Sequence, residues 1–436
     1  MSSGSLRVKK SRSILALAIM FAAAGEARAT TYYVDGAAPV SGNGTSWAEA
    51  WRSFSTIEWG KVAPGDTIFI SGGSEGLAYP ETLAPAISGA AGQPITIKRS
   101  TEPGHDGPVT IDGLSSAPLC VEVKSQSYLE FDGFDVENCT EAGFQIHNTR
   151  GITVRNCKVH AFSRGFHIWQ SRDVAILNNS VTTPSWTHRQ TDGIYSRENS
   201  HNRYWGNEII IANDEPTGHD DGIQSSWDSN ISVIGNYVEQ RNDKTSNAQG
   251  IFMTDASGAM VVINNVVNGP HTYNSLIKLL NFNGTGGSLY AYNNTLKGGR
   301  WGVIQIGDAP GSHVYNNIIY TTLSFASGIA FMPGNLPPPS NINYNLYYVP
   351  NGKPGQIIGS SFYDWSQWQA LGYERSGITT ALAAGPGIIS KDFSPVTGSP
   401  AIDAGVALTK VPTDITGRPR PRAAKFDIGA YEGPLP

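Results

Sequence analysis

The chain has 436 residues, a formal net charge of −5 and 15% charged residues, against about 25% in an average soluble domain. This balance provides no broadly basic surface, so neither a nucleic acid nor an anionic membrane is an expected partner. The three cysteines are too few for a disulfide framework, and we expect them as small buried apolar residues, with one disulfide allowed after export.

Residues 1–29 have the pattern of an export signal. Basic residues from Arg7 to Arg12 precede the apolar run ILALAIMFAAAG, and Ala27-Arg28-Ala29 offers a small-x-small cleavage site. The apolar run is too short to cross a membrane, so no membrane span is predicted. Without this segment, which carries five basic residues and Glu26, the formal charge is −9. We expect a secreted or periplasmic protein.

A short motif recurs nine times at intervals of 23 to 29 residues: GFDV at 133, NCKV at 156, NSVT at 179, NEII at 207, NYVE at 236, NVVN at 265, NTLK at 294, NIIY at 317 and NLYY at 345. A Val/Ile-rich segment such as ITVR or MVVI comes just before most of them, whereas leucine is sparse. Short strands with Gly and Asn between them favour a parallel β-helix over leucine-rich repeats. Coils would stack about 4.8 Å apart, and the recurring asparagines would form a ladder at one corner.

Two further stretches are similar to known proteins. TYYVDGAAPVSGNGTSWAEAWRSFSTI, PGDTIFISGG and QPITIKR resemble the opening coils of right-handed parallel β-helix proteins of the pectin-lyase-like superfamily. SPAIDAG, TDITGRPRP and FDIGAYE resemble the C-terminal segment of secreted bacterial β-helix proteins labelled choice-of-anchor Q. The resemblance implies an all-β chain, a right-handed parallel β-helix (solenoid) over 30–350, followed by a C-terminal segment over 351–436 that packs on it.

Within that region we predict loops at NLPPPSN (335–341) and PNGKPGQ (350–356) from their Pro and Gly content. SFYDWSQWQALGYE (361–374) has Trp365, Trp368 and Leu371 at helical spacing. It is predicted to cover the open end of the stack with a helix, as solenoids require.

Stacking places residues at equal offsets above one another. A second short motif recurs in the coils as AGFQI, RGFHI, DGIYS, DGIQS, QGIFM and WGVIQ. It predicts two inward columns: Phe144, Phe166, Ile194, Ile223, Ile251 and Val303, then Ile146, Ile168, Ser196, Ser225, Met253 and Ile306, which comes one residue late in the last coil. Alternation predicts two outward columns: Gln145, His167, Tyr195, Gln224, Phe252 and Lys278, then His147, Trp169, Arg197, Ser226 and Thr254. A third column precedes the glycines: Ala142, Arg164, Asp192, Asp221, Gln249, Ser275 and Trp301.

These columns define the candidate site. The predicted catalytic residues are Asp192, Asp220 and Asp221. The predicted substrate-binding residues are Arg164, His167, Trp169, Tyr195, Arg197, His219, Gln224, Gln249 and Lys278. The extra length of these coils, in TTPSWTHRQ, ANDEPTGH and QRNDKTSN, is expected to wall a groove.

Paired carboxylates suit glycosidic cleavage, because one protonates the leaving oxygen while the other activates water or attacks carbon. Gln190-Thr191-Asp192, Asp220-Asp221, Gln249-Gly250 and Leu276-Ile277-Lys278 resemble the ordered motifs of the polygalacturonase family of inverting glycoside hydrolases. That resemblance implies that Asp220 is the general acid, that Asp192 and Asp221 hold the water and that Lys278 contacts the substrate. Gln249 and Leu276 stand where the family has His and Arg, which puts homogalacturonan as substrate in doubt.

Two alternatives remain open beside the favoured hydrolase. A polysaccharide lyase or uronate C5-epimerase would use Lys278, His167 or His219 as base and Arg or Ca²⁺ to neutralise the carboxylate. Asp192, Asp214, Asp220 and Asp221 would then be candidate Ca²⁺ ligands, whereas a hydrolase needs no cofactor. The third alternative is a non-catalytic glycan-binding β-helix, because Asp-Gly before a strand is also ordinary turn chemistry. In each case we expect a monomer with a polysaccharide as partner.

Overall fold

A computed structural model describes residues 29–160, 163–183, 190–212, 219–241, 248–269, 274–379, 389 and 392–434. The predicted export signal therefore lies outside the described residues, except for Ala29. The described chain winds into coils whose strands belong to three long sheets, and each complete coil adds one strand to each sheet.

The first sheet has twelve strands: β1 (Thr31–Val34), β2 (Thr67–Ile70), β4 (Ile95–Arg99), β7 (Leu129–Asp132), β10 (Thr153–Arg155), β13 (Ala175–Leu177), β16 (Arg203–Trp205), β19 (Ser232–Ile234), β22 (Ala259–Ile263), β25 (Ser288–Tyr292), β28 (His313–Tyr315) and β31 (Ile342–Asn343). The second also has twelve: β3 (Leu77–Tyr79), β5 (Val109–Asp112), β8 (Asp135–Glu137), β11 (Lys158–His160), β14 (Ser180–Thr183), β17 (Glu208–Ile211), β20 (Tyr237–Gln240), β23 (Val266–Gly269), β26 (Thr295–Gly298), β29 (Ile318–Tyr320), β32 (Leu346–Tyr348) and β35 (Ile378–Thr379). The third has eleven: β6 (Leu119–Lys124), β9 (Ala142–His147), β12 (Arg164–Trp169), β15 (Asp192–Arg197), β18 (Ile223–Ser226), β21 (Ile251–Thr254), β24 (Ile277–Leu280), β27 (Trp301–Gly307), β30 (Ser327–Phe331), β33 (Lys353–Ile357) and β34 (Ser361–Tyr363).

The pairings are parallel throughout the stack, with one antiparallel pair, β33 with β34, among the described strands. Buried and partly exposed residues alternate along many strands, as in β2, because successive side chains of a strand point to opposite faces. The inward set is mostly Ile, Val and Phe, and it forms one continuous core along the stack. The rings of Phe144 and Phe166, for example, stack 5.2 Å apart on neighbouring coils. The predicted all-β parallel β-helix is therefore confirmed.

The predicted asparagine ladder is present at one corner. Its members are Asn179, Asn207, Asn236, Asn265, Asn294, Asn317 and Asn345. In each step the amide Nδ2 of one member donates to Oδ1 of the next, as Asn207 does to Asn236 at 3.0 Å. The ladder ends on Glu374, whose Oε1 accepts from Asn345 Nδ2 at 2.7 Å.

The ladder begins later than predicted. Cys157, not Asn156, stands below Asn179, since its amide donates to Asn179 Oδ1 at 2.9 Å. Asn156 occupies the preceding corner position, where φ is +55°. Asn suits both positions, because it tolerates the left-handed region and also bonds along the ladder. The sequence pattern therefore did not separate them.

The inward columns are confirmed except at β27. There Ile304, not Val303, pairs with Ile277, and the register with β30 shifts between Trp301 and Ile304. This bulge contains Gly302, whose φ is +104°. The inserted residue also removes Trp301 from the regular third column, because a bulge sets two residues against one.

The C-terminal end differs from the prediction in detail. Helix α1 (Trp365–Ala370) covers the stack with the fully buried Trp368, but Leu371 lies beyond the helix and is 42% exposed. The loop predicted over 350–356 is instead largely β33, with Gly355 so close to Trp368 that a Cβ would lie 2.2 Å from its ring. The boundary predicted at 350 thus falls inside the stack.

The remaining tail turns back along the stack and covers part of its outer surface. Ile389, Phe393, Ala401 and Ile428 pack on residues of the second sheet such as Ile318. Cys120 and Cys139 form a disulfide, and Cys157 is buried as a free thiol. Within the described ranges, no helix has the length and apolar character that a membrane crossing would require. Short 3-10 turns complete the fold at Trp47–Glu49, Phe54–Thr56, Trp59–Lys61 and Pro339–Asn341.

Candidate active site

The candidate site is a polar strip on the outer face of the third sheet, across β12, β15, β18, β21 and β24. Strand register confirms both predicted outward columns: Gln145, His167, Tyr195, Gln224, Phe252 and Lys278, and beside it His147, Trp169, Arg197, Ser226 and Thr254. The four motifs that resemble polygalacturonase motifs therefore lie on four successive coils.

The column of acids forms because glycine follows each acid in a tightly packed position. A Cβ on Gly193 would lie 2.3 Å from Ile209 Cγ2 and 2.6 Å from the carbonyl oxygen of Gly222. Gly222 meets the same restriction against Val238 and Gly250. Only glycine fits there, and the residue before it is held at a constant position from coil to coil.

Asp192 and Asp221 stand directly above one another. Asp192 Oδ1 accepts a hydrogen bond from the Asp221 amide at 3.1 Å, and Asp221 Oδ1 accepts from the Gln249 amide at 2.8 Å. Both carboxylates are fully buried, as is Gln249. The second oxygen of Asp192, Oδ2, makes no hydrogen bond with the described residues, and Arg164 Nε lies 3.9 Å from it.

Asp220 belongs to the same stack but not to the exposed face. It is fully buried, and its Oδ1 accepts from the Thr191 amide at 3.0 Å. Gln240 Nε2 donates to its carbonyl oxygen at 3.1 Å. A general acid must reach the leaving oxygen, and the burial of Asp220 is more suited to organising the backbone of two coils.

Three cations surround the aspartates. Arg164 lies over the Tyr195 ring at 4.7 Å, and His219 Nδ1 lies 3.0 Å from Asp221 Oδ2. Lys278 Nζ lies 5.0 Å from the centre of the Phe252 ring and donates to Asn274 Oδ1 at 3.3 Å. The His219 ring is 5.5 Å from the same Phe252 ring. His219 and Lys278 therefore both lie beside Phe252, which is on the coil between theirs.

Burial sets the protonation of the aspartates. It raises the pKa of Asp192 well above the usual value, and the nearby charge of Asp221 adds to this effect while Arg164 opposes it. Burial also raises the pKa of Asp221, against the opposing hydrogen bond and charge of His219.

The bases shift in different directions. For His219, burial lowers the pKa, but the hydrogen bond and charge of Asp221 outweigh it, so its pKa is raised overall. The pKa of Lys278 is lowered by burial, which the charge of Asp221 partly offsets. The pKa of His167 falls to about 4 through burial and then the charges of Arg164 and His147. His167 is therefore neutral at neutral pH.

Aromatic side chains border the strip on the side of the second outward column. Trp169 is 36% exposed and stacks on His147 at 4.7 Å, and Arg197 lies 4.7 Å over the Trp227 ring. Gln190 Nε2 donates to Gln224 Oε1 at 3.1 Å. The predictions did not include Trp227 or Asn274, because both lie outside the strands in which alternation is informative.

The predicted groove walls lie mostly outside the described residues, as does Asp214. The donor type of the aspartates suits Ca²⁺, but their Oδ1 atoms accept backbone amides. In the part of the chain that is described, no group of three or more His, Cys, Asp or Glu side chains is arranged to hold a metal ion. The described donors alone therefore do not fit a metal ion, and Asp214, the remaining candidate ligand, lies outside the described residues.

The architecture is that of a parallel β-helix with its candidate site on one sheet. Residues 119–296 match the family model described as "Right handed beta helix region". Pectate lyase Pel9A superimposes with a TM-score of 0.54 at 17% identity, covering 93% of this chain and 96% of that one. This chain therefore has a right-handed parallel β-helix fold, as predicted.

Two further solved structures have lower scores. XylC in complex with xylose matches with a TM-score of 0.48 and 11% identity, covering 92% of this chain and 98% of that one. The GH136 lacto-N-biosidase from Eubacterium ramulus matches with a TM-score of 0.42 and 11% identity, covering 80% and 68%. No curated protein sequence matches this chain significantly.

Proposed function

We propose that this chain is an exported lyase that cleaves a uronic-acid polysaccharide by β-elimination, with Lys278 as the base. The observation that carries the proposal is that two aspartates of the strip are buried whereas its cations are partly exposed. Asp192 and Asp221 have no exposed side-chain surface, whereas Arg164 and His219 keep 23% and 29%. Apart from Glu198, an exposed acid just after β15 that is paired with Arg197 at 3.1 Å, the described charged groups of the strip that can reach a ligand are cations. Cations attract the carboxylates of an acidic polymer.

The reaction needs a base for the C5 proton and a positive charge beside the substrate carboxylate. Lys278 is the base: burial lowers its pKa and so increases the fraction of neutral amine. His219 supplies the charge, because Asp221 keeps it protonated to higher pH than an isolated histidine. The C5–H electrons form the C4–C5 double bond, the C4–O4 bond breaks, and water protonates the leaving oxygen.

The buried aspartates act on the cations and not on the sugar. Asp221 orients His219, and Asp192 stands beside Arg164, four coils from Lys278. Because each coil adds about 4.8 Å, Arg164 lies roughly 19 Å along the stack from Lys278. It would bind the carboxylate of another sugar of the same chain. Asp220 is assigned a positioning role.

Hydrolysis is the second candidate, and one observation favours it. Asp192 and Asp221 are adjacent acids whose pKa values are both raised, the property a glycosidic acid requires. It ranks second because neither carboxylate is exposed.

A paired assay separates the candidates. The mature chain is incubated with polygalacturonate, alginate and neutral xylan, and new reducing ends and the ultraviolet absorbance of unsaturated uronate are followed together. We expect both signals on an acidic polymer. Reducing ends without absorbance would replace the lyase by a hydrolase, C5 inversion without either signal would indicate an epimerase, and binding alone would indicate a glycan-binding β-helix.

A chelator tests the alternative role of the aspartates in the same assay. We expect turnover to persist after dialysis against EDTA, because His219 and Arg164 carry the positive charge. Loss of turnover that Ca²⁺ restores would instead make Asp192, Asp220 and Asp221 metal ligands.

A further inference from the structure

We propose a second carbohydrate-binding site on the third sheet, an aromatic cluster of Trp301, Phe325 and Phe362 that holds sugar rings of the polysaccharide bound at Lys278. The choice of polymer rests on the proposed function, but the site itself rests on the geometry of the cluster.

The cluster forms a cavity of about 240 Å³, which Arg300 and Gln356 complete. Its three rings are unusually exposed for their size: 57% for Trp301, 76% for Phe325 and 47% for Phe362. Large exposed apolar patches are rare on soluble monomers, and they mark interaction surfaces or ligand-binding grooves. Flat rings with a few polar groups at the margin are also the usual lining of ligand pockets.

The cluster continues the face that carries the polar strip. Lys278 pairs with Gln305, Gln305 with Ala330 and Ala330 with Gln356, so Gln356 lies in the same outward column three coils further on. That is roughly 14 Å along the stack. Arg300 lies on the coil next to Lys278, since its amide donates to the Asn274 carbonyl at 3.0 Å. A polymer that follows the stack from Lys278 therefore meets the cluster.

The backbone is shaped to present Trp301. The bulge at Gly302 breaks the register between Trp301 and Ile304. A Cβ on Gly302 would lie 2.5 Å from Ala330 Cβ. Glycine lets the chain press against β30 there, and bulges of this kind redirect a neighbouring side chain. Ser327 Oγ also donates to Gln356 Oε1 at 3.0 Å, which orients that amide at the cavity.

The occupant follows from this continuity. The cluster contains no carboxylate, so it does not repel an acidic polymer, and its rings offer apolar surface to the faces of sugar rings. We therefore assign it to sugars several positions from the cleavage point, which makes the site selective for long chains.

The test is direct binding. The dissociation constants of the mature chain for polygalacturonate, alginate and xylan are measured by affinity electrophoresis, and those for tetrasaccharides by calorimetry. The variants are Trp301→Ala and, as matched control, Trp205→Ala, a 55% exposed tryptophan on the first sheet. We expect Trp301→Ala to weaken binding of the long polymer roughly tenfold, with no change for the tetrasaccharide bound at the strip or in the control.

Equal binding by both variants would overturn the second site and leave the proposed lyase intact. Weakened binding of a polymer that is not cleaved would support the second site while the lyase proposal fails. Gel filtration tests whether the cluster is instead an interface between two copies of the chain. If Trp301→Ala converts a dimer into a monomer, the cluster is such an interface and the proposal is wrong.

Discussion

At the scale of single residues, Lys278 and His219 both lie beside the Phe252 ring but need opposite protonation states in the proposed mechanism. Lys278 must be neutral to act as the base, and His219 must be protonated to supply positive charge. Burial makes Lys278 easier to deprotonate, while Asp221 makes His219 harder to deprotonate. One buried carboxylate thus influences both groups, because the low local dielectric strengthens its field.

Lys278→Met tests the base directly. Loss of a general base costs about 10²- to 10⁴-fold in rate, and we expect a loss in this range in the ultraviolet assay with little change in polymer binding. Lys158→Met, which removes an amine with a 76% exposed side chain on the second sheet, is the control. Full activity in Lys278→Met would remove Lys278 from the mechanism.

Asp221→Asn tests the electrostatic link. Asp221 raises the pKa of both Lys278 and His219, so its removal lowers both values. The rate rises with pH as Lys278 loses its proton and falls as His219 does, and we expect the whole pH–rate profile to move to lower pH. Asn retains an oxygen for the Gln249 amide, and the surface variant Asp173→Asn provides the control. An unshifted profile would contradict the link.

At the scale of structural elements, the asparagine ladder is stabilised by hydrogen bonds that each coil makes with the next. A ladder of amides must end on a group that accepts without needing to donate, and Glu374 fills this position. It accepts from Asn345 N, Asn345 Nδ2 and Tyr347 OH. Burial nevertheless raises its pKa to about 7.

Glu374→Gln tests this end of the ladder. The folded pKa of about 7 exceeds the unfolded value of 4.5, so the fold favours the protonated form. Its stabilisation is complete below the unfolded pKa and is lost as pH rises toward 7. Gln does not titrate, and we expect the decrease in Tm between pH 5 and pH 8 to be smaller in the variant. An unchanged decrease would contradict the assignment.

At the scale of the whole molecule, a buried ion pair within the C-terminal tail helps to hold the tail on the later coils. Arg420 and Glu432 have side chains at most 1% exposed, and their atoms Nη1 and Oε1 lie 2.5 Å apart. Arg420 also donates to Asn264 Oδ1 in the stack and to the Gly429 carbonyl. Removing one partner of such a pair leaves an uncompensated buried charge.

Arg420→Ala should therefore lower the free energy of unfolding by about 3–5 kcal/mol, measured by urea denaturation. Arg418→Ala, at an exposed position in the same tail, should change it by less than about 0.5 kcal/mol. Equal effects of the two variants would indicate that the tail does not contribute through this pair.

Spacing along the chain was sufficient to predict the coil, its period and the columns of the third sheet except at β27. Inward Ile and Val recur at constant offsets, and glycine is required after each acid, so the register of Asp192 on Asp221 was readable from spacing alone. The export signal and groove walls stay predictions.

Which groups of the strip are exposed became visible only in the folded chain. Spacing places Asp192, Asp221 and Arg164 in one column but does not give their depth, which depends on how neighbouring coils pack around each side chain. The spacing did show one extra residue in the last coil, because Ile306 follows Val303 by three residues and not two, but it did not show that the insertion lies before Ile304, which the strands on both sides define. Because the carboxylates of Asp192 and Asp221 are buried, we propose that they act on Arg164 and His219 and not on the sugar. For this reason β-elimination with Lys278 as the base is favoured over hydrolysis by paired aspartates.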